Sequence, residues 1–298
     1  MSTTDAQMLI SLEALAPDSP LPRQRRQGRL TIWLAGGWLA LVLFCAVFAD
    51  FLPFVRGYAQ RFPGKNLKAP SSKFWFGTNK VSQDIFARTV YGARLSLWIA
   101  FASILAGLAV ATVLGLTAGY YRGKIDTLIS YGVDILLAFP PLVLTLFVTT
   151  FYGRKATWVI LSLTILSIPP LTRVVRASTL AYSQREFVLA AKAVGAKDRR
   201  IIVREILPNV VPSMVSFVLT GMAVLIIAEG ALSVLGQSVL PPLPTWGSLI
   251  ADGRIPLEQG NAWWVALMPS GVMFLTILSF NLIGDVLSRR FDIKESLA

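Results

Sequence analysis

Glu229 is the only ionisable residue between Glu205 and Asp252, set in Ile226-Ile227-Ala228-Glu229-Gly230-Ala231-Leu232-Ser233. A carboxylate in mid-helix costs about 3 kcal/mol on membrane-insertion scales, so it faces protein or water rather than lipid. Two chemistries fit. It lines a hydrated path and meets a cationic ligand group, or it is a structural acceptor held by serines or backbone of a neighbouring helix. Asp134 has Arg173 and Arg176 as candidate partners, and Asp285 precedes Arg289 and Arg290, where a capping or anchoring role is expected. Other reactive groups are scarce. With no histidine in 298 residues, Ser-His-Asp triads, Cys-His dyads and His-based zinc or haem sites are excluded. Cys45, the one cysteine, permits no internal disulfide and reads as a small apolar packing residue in Leu43-Phe44-Cys45-Ala46. There is no Gly-x-Ser-x-Gly, no acid pair and no metal-ligand spacing. A phosphate-binding loop is missing too: Gly64-Lys65 and Gly123-Lys124 lack both the upstream glycine and the hydroxyl. No catalytic, cofactor-binding or metal-binding residue is expected on this chain.

The elements that must carry these residues are apolar. Hydrophobic residues make up 54% of the chain and charged ones only 15%, against about 25% in a soluble domain. Crossing a hydrocarbon core takes about 20 mostly apolar residues. Six stretches meet or approach that length: Leu30 to Phe54, Leu95 to Tyr121, Thr127 to Tyr152, Ala156 to Thr172, Val210 to Leu235 and Trp263 to Ile283. Pro169-Pro170 is expected to kink or end the fourth. The expectation is an all-α integral membrane protein with six transmembrane helices.

Charge sets the orientation. Lys and Arg number 28 against 16 Asp and Glu, a net charge of +12. Placing the N-terminus in the cytoplasm puts seventeen of the 28 basic residues inside, eight of them between Arg173 and Arg204, as the positive-inside rule requires. This accounts for the basic excess without nucleic acid. The organisation expected is a cytoplasmic tail (1–29), a first span (30–55), an extracytoplasmic segment (56–94), a five-helix core (95–288) with an inner loop at 173–209, and a cytoplasmic tail (289–298). About 30 residues, Asp5 and Glu13 among them, precede the first apolar stretch, which argues against a cleaved signal. Trp33, Trp38, Trp263 and Trp264 fall where interfacial anchors are expected.

The inner loop reads as a short helix from Glu186 with small residues at Ala190, Ala191 and Ala193, closed by Gly195. A second helical piece carrying Ile201, Ile202 and Arg204 is expected to stop at Pro208. Taken alone, it fits an amphipathic interfacial helix as well as a docking element. Yet the loop resembles the EAA loop of permease subunits of ATP-binding-cassette (ABC) importers. Ala190, Ala191, Gly195, Leu207 and Pro208 occupy the matching positions, and Leu189 stands where that family usually has its glutamate. Further blocks resemble the C-type permeases of dipeptide and oligopeptide importers. They are Phe76-Gly77-Thr78-Asn79, Gln83 to Arg88, Tyr91-Gly92-Ala93-Arg94, Gly119-Tyr120 with Asp126, Asp134 and Pro140, Pro241 to Gly247, and Phe280 to Asp285. The family has Gly-Thr-Asp and Gly-Arg-Asp in the first two, so Asn79 and Gln83 are substitutions.

The resemblance implies a type I importer permease, a non-catalytic translocation subunit for dipeptides or oligopeptides in the cytoplasmic membrane. Its implied partners are a homologous B-type permease, two ABC ATPase subunits carrying ATP and Mg, an extracytoplasmic peptide-binding protein, and membrane lipid. Glu186, Leu189, Ala190, Ala191, Gly195, Leu207 and Pro208 would form the ATPase-coupling loop. Close relatives of the family carry nickel chelates, and a self-sufficient ion-coupled transporter acting through Glu229 and Asp134 is the alternative of a different class.

Overall fold

The computed structural model describes residues 24–296, with side chains from Thr31 to Arg289. Positions 1–23 of the expected N-terminal tail and 297–298 at the far end lie outside the described residues. The elements are α1 (Gln24–Val47), α2 (Ile85–Tyr121), α3 (Gly123–Ala138), α4 (Pro141–Tyr152), α5 (Ala156–Tyr182), α6 (Glu186–Ala193), α7 (Asp198–Val234), α8 (Trp246–Glu258) and α9 (Trp264–Ser296). Among the described residues no sheet forms; two isolated bridges, Arg61 with Gln83 and Thr78 with Asp84, shape the segment before α2.

Among the described residues, four helices, α2, α5, α7 and α9, are long and apolar enough to span a membrane. The third expected span is α3 and α4 together, bent by 82° at Phe139-Pro140. The first ends earlier than expected, at Val47 rather than near Phe54. It stops there because Arg94 on α2 takes its last carbonyls, Nε to Ala46 O at 2.8 Å and Nη2 to Val47 O at 3.1 Å. Arg94 also pairs with Asp50 at 3.0 Å, and the Tyr91 hydroxyl donates to the same carboxylate at 2.7 Å. Tyr91 and Arg94 thus clamp the end of α1 to α2. Conversely, α2 begins ten residues before its expected span, with Asp84 as N-cap accepting from the Phe86 amide at 3.0 Å. At the other end of the chain the helix α9 runs on to Ser296, through most of the expected C-terminal tail.

The closest seam joins α2 to α5. A Cβ at Gly107 would strike the Ser167 hydroxyl, one at Gly115 would lie 2.6 Å from Val175 Cβ, and one at Gly119 2.7 Å from Thr179 Cβ. Each glycine meets the residue sixty positions on, so the two helices run parallel and in register. Without a hydrophobic force between helices in lipid, such small-residue seams supply close packing instead. That packing explains why α5 continues through Pro169-Pro170, with Pro169 buried and the hydroxyl of Ser167 donating to Thr164 O at 2.8 Å.

Outside the bundle, residues 48–84 and the start of α9 form a compact cap. Ile85, Ala262, Trp264 and Val265 are its core. Trp264 is therefore a packing residue rather than the interfacial anchor expected, its indole donating to Thr78 O at 3.4 Å, whereas Trp33 is 79% exposed. Gly77, at φ +74°, has no room for a side chain between Lys68 O and this indole.

Candidate coupling and translocation site

The inner loop is built around buried aliphatic anchors. Val188 on α6 and Ile201, Ile206 and Val210 on α7 are fully buried against Leu116 of α2 and Val175 of α5. The short α6 ends in a Schellman motif: Ala196 N donates to Ala191 O and Gly195 N to Lys192 O. Gly195, at φ +78°, sits where the chain reverses, with open space around it. Glu186 in the first turn and Lys192 in the last match the helix dipole. The α2 end adds polar ties, Tyr120 Oη to Asp198 at 2.7 Å and Arg122 Nη2 to the Ser183 hydroxyl at 3.1 Å.

With Val188 facing inward, the outer face of α6 exposes Phe187, Leu189, Ala190 and Val194, while Ala191 and Leu207 are half-buried. Leu189, the departure from the resembled motif, is thus a surface apolar residue rather than a charge. Pro208 does not stop the second piece. The chain passes from Asp198–Arg200 through a π-helical stretch, Ile201–Ile206, into the continuous helix to Val234. Proline has no N–H for the carbonyl four residues back, and here Leu207 N bonds Ile202 O while Asn209 Nδ2 reaches Glu205 O at 2.6 Å.

Toward the opposite end of α7, Glu229 is 1% exposed. Its Oε1 accepts from the Ser233 hydroxyl at 2.9 Å and the Ser238 hydroxyl at 2.6 Å, while Oε2 is buried without a hydrogen bond. Around it stand Thr245, whose hydroxyl lies 3.5 Å from that of Ser233, and the fully buried Trp246. Trp246 donates its amide to Ser96 Oγ and its indole N–H to Thr89 O, both at 3.0 Å. Thr245 and Ser248 form a capping box that starts α8 at this point. The Pro241 to Gly247 block therefore folds back onto α2 and α7 beside the carboxylate. Serines of a neighbouring helix are one expectation for Glu229; Ser233 lies instead one turn further along α7 itself and Ser238 just beyond its end.

Asp134 pairs with Arg173 at 2.7 Å. Arg176, the other candidate, bonds Asp126 instead, Nη2 to Oδ2 at 2.7 Å. Both pairs tie α3 to α5. Asp285 is exposed on α9. In the cap, the two substituted positions meet: Asn79 Nδ2 donates to Gln83 Oε1 at 3.0 Å, and Arg88 Nη1 reaches the same oxygen at 2.6 Å. Ser82, at φ +60°, stands where the resembled Gly-Arg-Asp has its glycine.

A parallel helix pair, a broken third span and an inner loop feeding a long helix define the transmembrane component of a type I ABC importer. The same fold occurs in a chain of the methionine ABC transporter MetNI in inward-facing conformations, with a TM-score of 0.59 at 19% identity over 70% of this chain and 97% of that one. It recurs in an amino acid ABC transporter, with a TM-score of 0.52 at 16% identity over 69% and 94% of the two chains. Residues 111–293 match the model of the binding-protein-dependent transport system inner membrane component family, and the chain belongs to that family. It is a multi-pass membrane protein. The dipeptide transport system permease protein of Alkalihalophilus pseudofirmus is 38% identical over 85% of this chain and 82% of its own. The glutathione transport system permease protein of Pectobacterium atrosepticum is 39% identical over 76% and 75%.

Proposed function

We propose that this chain is the translocation subunit of an ATP-driven importer of dipeptides or similarly small peptides, glutathione included, across the cytoplasmic membrane. The observation that carries the reading is its close similarity, over most of its length, to permeases named for dipeptide and glutathione transport. The chain has no phosphate-binding loop of its own. ATP and Mg are therefore held on two partner ATPase subunits, a second permease completes the pathway, and an extracytoplasmic binding protein delivers the peptide. The N- and C-termini lie in the cytoplasm, on the side of the basic inner loop.

The exposed Phe187, Leu189 and Val194 of α6 supply an apolar knob for an ATPase groove, and Val188, Ile201 and Ile206 pass its displacement into the bundle. Purification of the tagged chain from its native membrane in mild detergent is the direct test. Recovery of a second permease with one or two ATPases supports the importer, and the accompanying binding protein then discriminates peptides from nickel chelates. Recovery of this chain alone, active after reconstitution and sensitive to Glu229→Gln, would support the ion-coupled transporter instead.

The loop assignment has its own test. Gly195→Val meets no neighbouring atom, but a β-branched residue at this φ costs about 1–2 kcal/mol. The variant is expected to insert normally while ATP hydrolysis loses its coupling to uptake. Unchanged coupling would remove α6 from the docking role.

A further inference from the structure

A cavity of about 900 Å³ opens between α1 and α2. Its polar lining is gathered at one end, where Asp50, Tyr58, Tyr91 and Arg94 form a rim. Below the rim the lining carries no charged side chain: Leu97, Met222 and Phe280 are buried at its floor, and Leu43, Trp98 and Phe101 stand at its open side. Along α2 it extends from Tyr91 to Phe101, ten residues or about 15 Å at the helical rise. That is half of a hydrocarbon core about 30 Å thick, the depth of one leaflet.

We propose that this cavity is a phospholipid site, holding one acyl chain of a lipid from the leaflet opposite the coupling loop, with the headgroup at the Arg94–Asp50 rim. Three observations converge. The cavity is an apolar slot about 15 Å deep beneath a polar rim, the proportions of an acyl chain below its headgroup. The rim presents both signs of charge, Arg94 42% and Asp50 56% exposed, which complements a zwitterionic headgroup. Arg94 Nε and Nη2 are engaged by α1 and Asp50, while Nη1 makes no hydrogen bond among the described residues and is available to a phosphate. The same clamp decides against a helix of a partner subunit. It holds α1 and α2 together by bonds of 2.8 to 3.1 Å at the level of the rim, closing the gap to a rod about 10 Å across.

The test places a photo-reactive benzoylphenylalanine at Leu43, in the cavity wall, and separately at Trp33, exposed on the same helix. The assembled complex is exchanged exhaustively into detergent, irradiated, and its subunits weighed. A phospholipid adduct that survives at Leu43 and is lost at Trp33 supports the site. A Leu43 adduct to another polypeptide, equal lipid adducts at both positions, or no lipid adduct at Leu43 each overturns it. In a second variant, Leu43→Trp narrows the cavity at a half-exposed position where folding is not at stake. Retained phospholipid per complex should fall roughly tenfold, since excluding even two methylenes removes that much affinity; unchanged retention also overturns the site.

Discussion

Replacing Glu229 by glutamine keeps an acceptor for the Ser233 and Ser238 hydroxyls, whereas leucine removes that acceptor from both buried groups. Glu229→Gln is therefore expected to melt close to the parent complex and Glu229→Leu to lose about 1–3 kcal/mol, read as a drop in Tm of the purified assembly. A loss in the glutamine variant confined to particular peptides would point instead to contact with substrate. The cap offers a paired test. Gln83→Arg sets a second guanidinium beside the buried Arg88 and should cost about 3–5 kcal/mol, and adding Asn79→Asp should recover much of it. Equal stability of the single and double variants would contradict the contact. Asp50 gives the pH dependence: the Tyr91 hydroxyl, and then Arg94, hold its carboxyl below the usual aspartate value. Because the folded value is depressed, the clamp contributes at all pH above the ordinary aspartate range and is lost as pH falls through the lowered value. Hydrogen exchange at Ala46 and Val47 should stay slow through neutral and mildly acidic pH, and release near pH 7 would be inconsistent with it. Glu229 and Asp134 were legible as isolated charges in apolar runs, with Arg173 one of two candidate partners for the latter. Ser96 and Thr245 beside Glu229 were not, because what places them is the fold-back of the Pro241 to Gly247 block onto α2, a contact between segments far apart in sequence.

Between elements, the α2–α5 seam makes the sharpest prediction. Gly115→Leu must push Val175 and the backbone at Arg176 aside, an overpacking cost of about 1–3 kcal/mol or more, whereas the same change at Gly132 on α3 meets nothing within 4 Å. Membrane yield of the assembled complex should fall for the first and hold for the second; equal behaviour would contradict the seam. Apolar runs and turn residues made the helices readable, but their ends were set by tertiary contacts. α1 ends early where Arg94 takes its carbonyls, and α2 starts early where the cap supplies Asp84 with a buried place. Pro169-Pro170 and Pro208 did not act as breakers, Pro169 being buried within the bundle and Pro208 absorbed by a π turn. Proline in a helix costs hydrogen bonds that neighbours and local rewinding can replace, and neither compensation is written in the residues beside it.

At the scale of the whole molecule, the chain is organised around α7. One end of this 37-residue helix is seated in the apolar nest of the coupling loop, and the other carries Glu229 against α2 and α8. From Asp198 to Glu229 the distance is about 46 Å at the helical rise. The loop and the buried carboxylate, which looked like separate features in the sequence, are thus two ends of one element. In mechanical terms α7 is a seesaw beam: any tilt about its middle moves its two ends in opposite directions. A push at the inner end therefore withdraws or advances the Ser238 to Trp246 fold-back at the outer end, with no relay through intervening side chains.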